Sequence, residues 1–111
     1  MKEKRQHARK SVPGGVRVRD VNTGRELGTL LNLSPSGMMV FTEQPVPANA
    51  VYQCELDLGT AVQDEAGPLR FGVESLWCQP SEQPGAWWVG LRIIDIESGH
   101  SASLERYLDE L

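Results

Sequence analysis

The stretch YQCELDL, residues 52 to 58, alternates apolar and polar side chains without interruption. A period of two is the spacing at which side chains return to one face of a β-strand, whereas a helix would scatter these residues around its circumference and bury no face. The same period recurs along most of the chain. Val16 and Val18 alternate with Arg17 and Arg19, and Leu27, Thr29, Leu31 and Leu33 share one face of a second run. MMVFT at residues 38 to 42 makes a third. Leu69, Phe71 and Val73 lead a run towards Trp77, and Trp87, Val89, Leu91 and Ile93 complete the set. Turn chemistry separates these runs: Asn22 and Gly24 in VNTGRE tolerate positive φ, Ser34-Pro35-Ser36-Gly37 has type I turn preferences, and polar segments occupy Gly59 to Pro68 and QPSEQPG at 79 to 85. Six short strands with turns between them predict an all-β fold, an antiparallel barrel or sandwich.

The period changes at the end of the chain. Leu104, Tyr107, Leu108 and Leu111 stand at i, i+3, i+4 and i+7, which predicts a helix over about 101–111, capped by Ser101 or a neighbouring serine. A helix this short is unstable alone in water, so its stripe must dock on the barrel or on a partner. A chain of 111 residues with 40% hydrophobic content can close one core without metal or disulfide support. No long apolar run is present, so a soluble, unprocessed, cytoplasmic protein without direct membrane insertion is expected. Cys54 and Cys78 lie far apart without CxxC spacing and read as buried thiols.

The net charge of −4 hides an asymmetry. Residues 1 to 10 carry Lys2, Lys4, Arg5, Arg9 and Lys10 against Glu3, a local net of +4, which leaves −8 on the remainder. Such a body would repel long nucleic acid, whose affinity rests on many phosphate contacts over a basic face, while the arm could still hold a small anion. Val12, Pro13, Gly14 and Gly15 then permit sharp redirection and read as a hinge. The expected organisation is a flexible basic arm and hinge over 1–15, followed by the barrel and helix over 16–111.

The stretch NLSPSG, residues 32 to 37, connects the second and third predicted strands. Asn32 and Ser34 are two apart on an extended segment, which would give one surface an amide and a hydroxyl. Gly37 leaves room for a ligand or another backbone to approach, and it also suits the shape of the turn.

Together, RQHAR at residues 5 to 9 and NLSPSG at 32 to 37 resemble the two signatures of the PilZ domain, a bacterial cyclic di-GMP receptor family: RxxxR, then Asp or Asn followed by xSxxG. Their order, their spacing across one hairpin and the later VGLR at 89 to 92 strengthen the match, which covers essentially the whole chain. The resemblance implies a six-stranded PilZ-type barrel with a short C-terminal α-helix, agreeing with the count of runs. It implies cyclic di-GMP as ligand, with no other cofactor and no metal. It assigns ligand contacts to Arg5 and Arg9, to Asn32 and Ser34, and secondarily to Ser36, the backbone N–H groups around Gly37, and Gly37 itself.

These residue types suit that ligand. An arginine fork bonds phosphate, or guanine O6 and N7, through parallel donors, and its plane stacks on a purine. The carbonyl oxygen of Asn32 can accept from guanine N1–H or N2–H. Asn replaces the Asp of many relatives, losing a charge-assisted match while removing repulsion from phosphate. Lys2, Lys4 and Lys10 are expected only to raise the local potential, although the resemblance gives Lys4, just before the first motif arginine, an influence on whether one or two ligands bind.

The expected function is a cyclic di-GMP effector or adaptor that passes its signal to an unidentified downstream protein or to a second copy of itself. The alternative keeps the fold as a ligand-independent protein-interaction module. A small-barrel nucleic-acid binder would want basic residues interleaved with aromatics on one sheet face, and the surroundings of Trp77, Trp87 and Trp88 are not basic; at least two of the three are expected in the core. An enzyme is not expected, since His7 and His100 lie near opposite ends of the sequence with no catalytic or metal-ligand spacing. Of Met38 and Met39, one should face the core and the other the opposite surface.

Overall fold

The computed structural model describes residues 10–12, 15–57 and 68–111. Seven strands and one helix run in the order β1 (Lys10–Ser11), β2 (Arg17–Asp20), β3 (Glu26–Leu33), β4 (Gly37–Thr42), β5 (Val51–Leu56), β6 (Leu69–Pro80), β7 (Trp87–Asp95) and α1 (Ser98–Asp109). All strand pairings are antiparallel. The ring β3-β2-β5-β6-β7-β4 closes through the β3–β4 pairing, so six strands form the expected barrel and β1 is an addition to it.

The alternation read from the sequence is what closes this ring. Val18, Cys54, Leu56, Val73, Val89 and Leu91 are buried, whereas Arg17, Arg19, Gln53 and Arg92, next to them in sequence, are exposed. Each fully buried aliphatic side chain contributes about 1.5–3 kcal/mol relative to exposure. The VNTGRE hairpin forms as predicted. Gly24 takes the positive φ of 74°, and the Asp20 carboxylate accepts from the Asn22 N–H and the Thr23 hydroxyl, both at 3.1 Å. The helix docks through Leu104, Tyr107 and Leu108, all part of the core.

Four expectations need correction. In β3 the buried residues are Gly28, Leu30 and Leu33, not a single face of Leu27, Thr29, Leu31 and Leu33. A bulge explains the change: Leu30 is opposite Val40 and Asn32 is opposite Met39, so Leu31 is an extra residue that reverses the parity of everything after it. The stretch assigned to arm and hinge contains part of the sheet, because β1 pairs with β3 and the Val12 N–H donates to the Leu31 carbonyl at 3.0 Å. Helix α1 begins at Ser98 with Glu97 at its N-cap and no side-chain capping bond, so the serine cap does not form. Leu111 lies beyond the helix and is 37% exposed.

The tryptophans also divide differently from expectation. Trp87 packs against the core, whereas Trp88 meets Phe41 edge-on on the outer face, at a ring distance of 5.1 Å. Trp77 lies across Gly90, where a Cβ would collide with its indole. Met38 is fully buried and Met39 is on the outer face. The predicted 59–68 loop falls, apart from Pro68, outside the described residues, as do Arg5 and Arg9.

Candidate functional site

The NLSPSG segment is the turn between β3 and β4, and its hydroxyl and its glycine are both consumed in building it. Ser34 is 1% exposed, and its Oγ accepts from the backbone N–H of Ser36 at 3.2 Å and of Gly37 at 3.1 Å. The Ser34 N–H in turn donates to the Gly37 carbonyl at 2.9 Å. Serine at the first turn position suits this, because its short side chain reaches backbone groups two and three residues ahead. Pro35 has no N–H to satisfy. The turn is tied to β7 by the Ile93 N–H, which donates to the Ser36 carbonyl at 2.9 Å. At Gly37 a Cβ would stand 2.7 Å from the Leu91 carbonyl oxygen, so here glycine serves a close approach of two backbones.

This geometry redistributes the roles read from the sequence. Ser34 and Gly37 are buried and set the shape of the turn, and the N–H groups of Ser36 and Gly37 are already engaged. They are therefore not free donors for a ligand. The Ser36 side chain is exposed, its hydroxyl 3.3 Å from that of Ser34. Asn32 and Ser34 do not present a shared amide and hydroxyl surface.

Asn32 is the exception to this closed network. The Leu31 bulge takes it off the interior parity of Leu30 and sets it between Ser11 of β1 and Met39 of β4. Its side-chain oxygen Oδ1 is buried and accepts no hydrogen bond from any described residue. A buried acceptor left in this state costs about 1–3 kcal/mol. Most native buried polar groups are paired, so an orphan on a motif residue is a place where a donor is missing.

The register row through Asn32 crosses much of the sheet: Ser11, Asn32, Met39, Gly90 and Trp77 are successive partners on β1, β3, β4, β7 and β6. Its far end was not legible as a site feature, although Gly90 inside a strand is a signal of close approach. Arg92 of VGLR is opposite Gly37 and pairs with Glu74.

Lys10 also differs from expectation. Its ammonium donates to the Leu108 carbonyl oxygen at 2.9 Å, joining β1 to the end of α1, so it has a specific partner beyond raising the local potential. Elsewhere on the outer face Glu55 receives both Arg19 and Arg70. The Arg19 hydrogen bond holds its carboxyl below the usual carboxylate value; partial burial acts upward and Arg70 adds to the lowering. Burial pushes the Cys54 thiol up to about 12, with Asp20 adding, which makes it an inert core thiol. Cys78 is half-buried and also packs against the core. Burial raises Tyr52 and Tyr107 as well. Clefts of about 470 Å³ near Arg17, Phe41 and Tyr52 and about 250 Å³ near Arg70 and His100 include none of the motif residues. Among the described residues no group of His, Cys, Asp and Glu could hold a metal ion, and no helix is long and apolar enough to cross a membrane.

Comparison with known families finds the PilZ domain model matching residues 3–110. The chain belongs to the PilZ domain family. No catalytic family is indicated, and no curated protein matches. Among solved structures, this PilZ domain is similar to the PilZ domain of YcgR from Escherichia coli with c-di-GMP, at 17% identity and a TM-score of 0.72, covering 98% of this chain and 92% of that one. It is also similar to MrkH of K. pneumonia in a c-di-GMP complex, at 13% identity, TM-score 0.74, 97% of this chain and 52% of that one. MotI/DgrA, the inhibitor of motility of Bacillus subtilis, matches at 13% identity and TM-score 0.73 over 97% of this chain and 50% of that one. The chain thus spans about half the length of MotI/DgrA and MrkH. At these identities the likeness establishes the fold.

Proposed function

We propose that this PilZ domain is a non-catalytic receptor for cyclic di-GMP that acts as an adaptor, converting occupancy into an altered protein-interaction surface. The observation that carries this reading is the buried, unpartnered Oδ1 of Asn32, the acceptor in the second family signature. A guanine edge offers the N1–H and N2–H donors that this oxygen lacks. The relatives YcgR and MrkH, solved with c-di-GMP on the same fold, support the choice of ligand.

The two phosphodiester anions require cations, and RxxxR supplies them from a segment that joins the fold at the right place. Lys10 is opposite Leu33, next to Asn32, and Arg9 is covalently bound to Lys10. Arg5 and Arg9 bind phosphate and the Hoogsteen edge of guanine, Asn32 accepts from the other guanine edge, and the exposed Ser36 hydroxyl adds a contact. Ser34 and Gly37 contribute by fixing the turn. Ligand and arm together then cover the motif end of the barrel with a new surface, which a downstream protein or a second copy reads.

Calorimetric titration with cyclic di-GMP tests this. Wild type should give saturable heat, and Arg9→Ala should weaken binding by well over tenfold, since losing a buried charge-assisted contact costs on the order of 2–5 kcal/mol. Absence of heat at ligand concentrations of some tens of micromolar would refute the reading and leave a ligand-independent interaction module.

A further inference from the structure

Helix α1 ends beside β1, which follows the arginine motif in the sequence. Lys10, the first described residue after that motif, makes two attachments at once. Its backbone is in register with Leu33 of β3, and its side chain donates to the Leu108 carbonyl in the last turn of α1, 98 residues away in sequence. Carbonyls of a last helical turn have no partner further along the helix, and a cation there also meets the negative end of the helix dipole. Leu108 shares its carbonyl with the Leu111 N–H at 3.2 Å, and its side chain packs in the same core as Val12 and Leu33. The three described residues 10–12 therefore touch both the motif strand and the helix end.

We infer that Lys10 is a positioning residue that couples the ligand site to the C-terminal turn of α1. The inference rests on the cyclic di-GMP reading above. A ligand held between Arg9 and Asn32 fixes β1 against β3, because Arg9 is one peptide bond from Lys10 and Asn32 is opposite Ser11. Fixing β1 fixes Lys10, and Lys10 then holds the helix end. The exposed face of that turn, Arg106, Asp109 and Glu110, is thereby part of the surface that occupancy orders. Coupling of this kind is reciprocal, so the latched helix raises ligand affinity by the factor by which ligand stabilises the helix end.

The experiment reads hydrogen exchange at the amides of Glu110 and Leu111, which bond Tyr107 and Leu108, with and without saturating cyclic di-GMP, alongside calorimetry. In wild type, ligand should slow exchange there by about five- to tenfold. Lys10→Met keeps the aliphatic stem and removes the donor. It should exchange faster without ligand, show no ligand-induced slowing at saturation, and bind more weakly than Lys2→Met, which removes one arm cation of equal charge. Lys10→Arg, which restores a donor, should recover both effects. Three outcomes overturn the latch alone: wild type binding with unchanged or faster exchange at the helix end, slowing that persists in Lys10→Met, or equal affinities in Lys10→Met and Lys2→Met. Absence of binding in wild type overturns the cyclic di-GMP reading, and the coupling with it.

Discussion

Two polar groups on the outside of this barrel have opposite fates. Glu55 on β5 is nearly buried, yet each carboxylate oxygen has an arginine, one from β2 and one from β6. Asn32 on β3 is less buried as a residue, yet its Oδ1 has no donor among the described residues. The register accounts for the first: Arg19, Glu55 and Arg70 are direct neighbours across three strands, so closing the sheet also closes the network. The neighbours of Asn32 in its row are Ser11 and Met39, and Met39 has no donor in its side chain. A satisfied network is explained by the fold. An unsatisfied one beside a family signature is what the proposed ligand would complete.

The largest effect expected from breaking this contrast is at Gly37. Gly37→Ala drives a methyl into the Leu91 carbonyl and forces apart the turn and β7, at a cost of about 1–3 kcal/mol read as a lowered denaturation midpoint. On the proposed reading ligand affinity should fall with it, because Asn32 borders the turn. Asn32→Leu separates the two quantities: a near-isosteric apolar side chain removes the orphan acceptor, so stability should rise by up to about 1–2 kcal/mol while the calorimetric signal for cyclic di-GMP is lost. A clear loss of stability in that variant would show that Oδ1 has a structural partner.

Glu55→Gln should do the reverse of Asn32→Leu, costing on the order of 1 kcal/mol, because Arg19 and Arg70 are both more than half exposed, and leaving ligand affinity unchanged. The pH dependence gives the smallest and sharpest test. The folded carboxyl of Glu55 lies below its unfolded value of about 4.3, so its contribution is complete above that pH and disappears as pH falls through the folded value. Chemical denaturation at a series of acidic pH values should therefore show a steeper decline in wild type than in Glu55→Gln. Equal slopes would remove Glu55 from the account.

The strands that build the barrel were legible because alternation is a local property, and the VNTGRE hairpin because Gly24 is where positive φ is needed. The face of β3 was not, since the Leu31 bulge exists only in pairing with β4 and leaves no mark on composition. The same limit hid Trp77, whose position over Gly90 depends on the register of β6 and β7. Strand β1 has two residues, too few for any period, and Lys10 looked like one more arm cation until α1 was seen to end beside it. In the motif, residue types were legible and their division of labour was not. A serine and an asparagine both read as ligand groups, and only the turn shows that one is spent on backbone N–H groups and the other is left over.

One edge of β3 is used twice along its length, by β2 over Glu26 to Thr29 and by β1 over Asn32 and Leu33. Removing residues through Val12 would strip the second user and leave main-chain donors and acceptors of the motif strand facing solvent, the kind of bare edge that recruits strands from other molecules. The N-terminal boundary chosen for producing this protein is thus a solubility decision, and a version beginning after Val12 would invite self-association along β3.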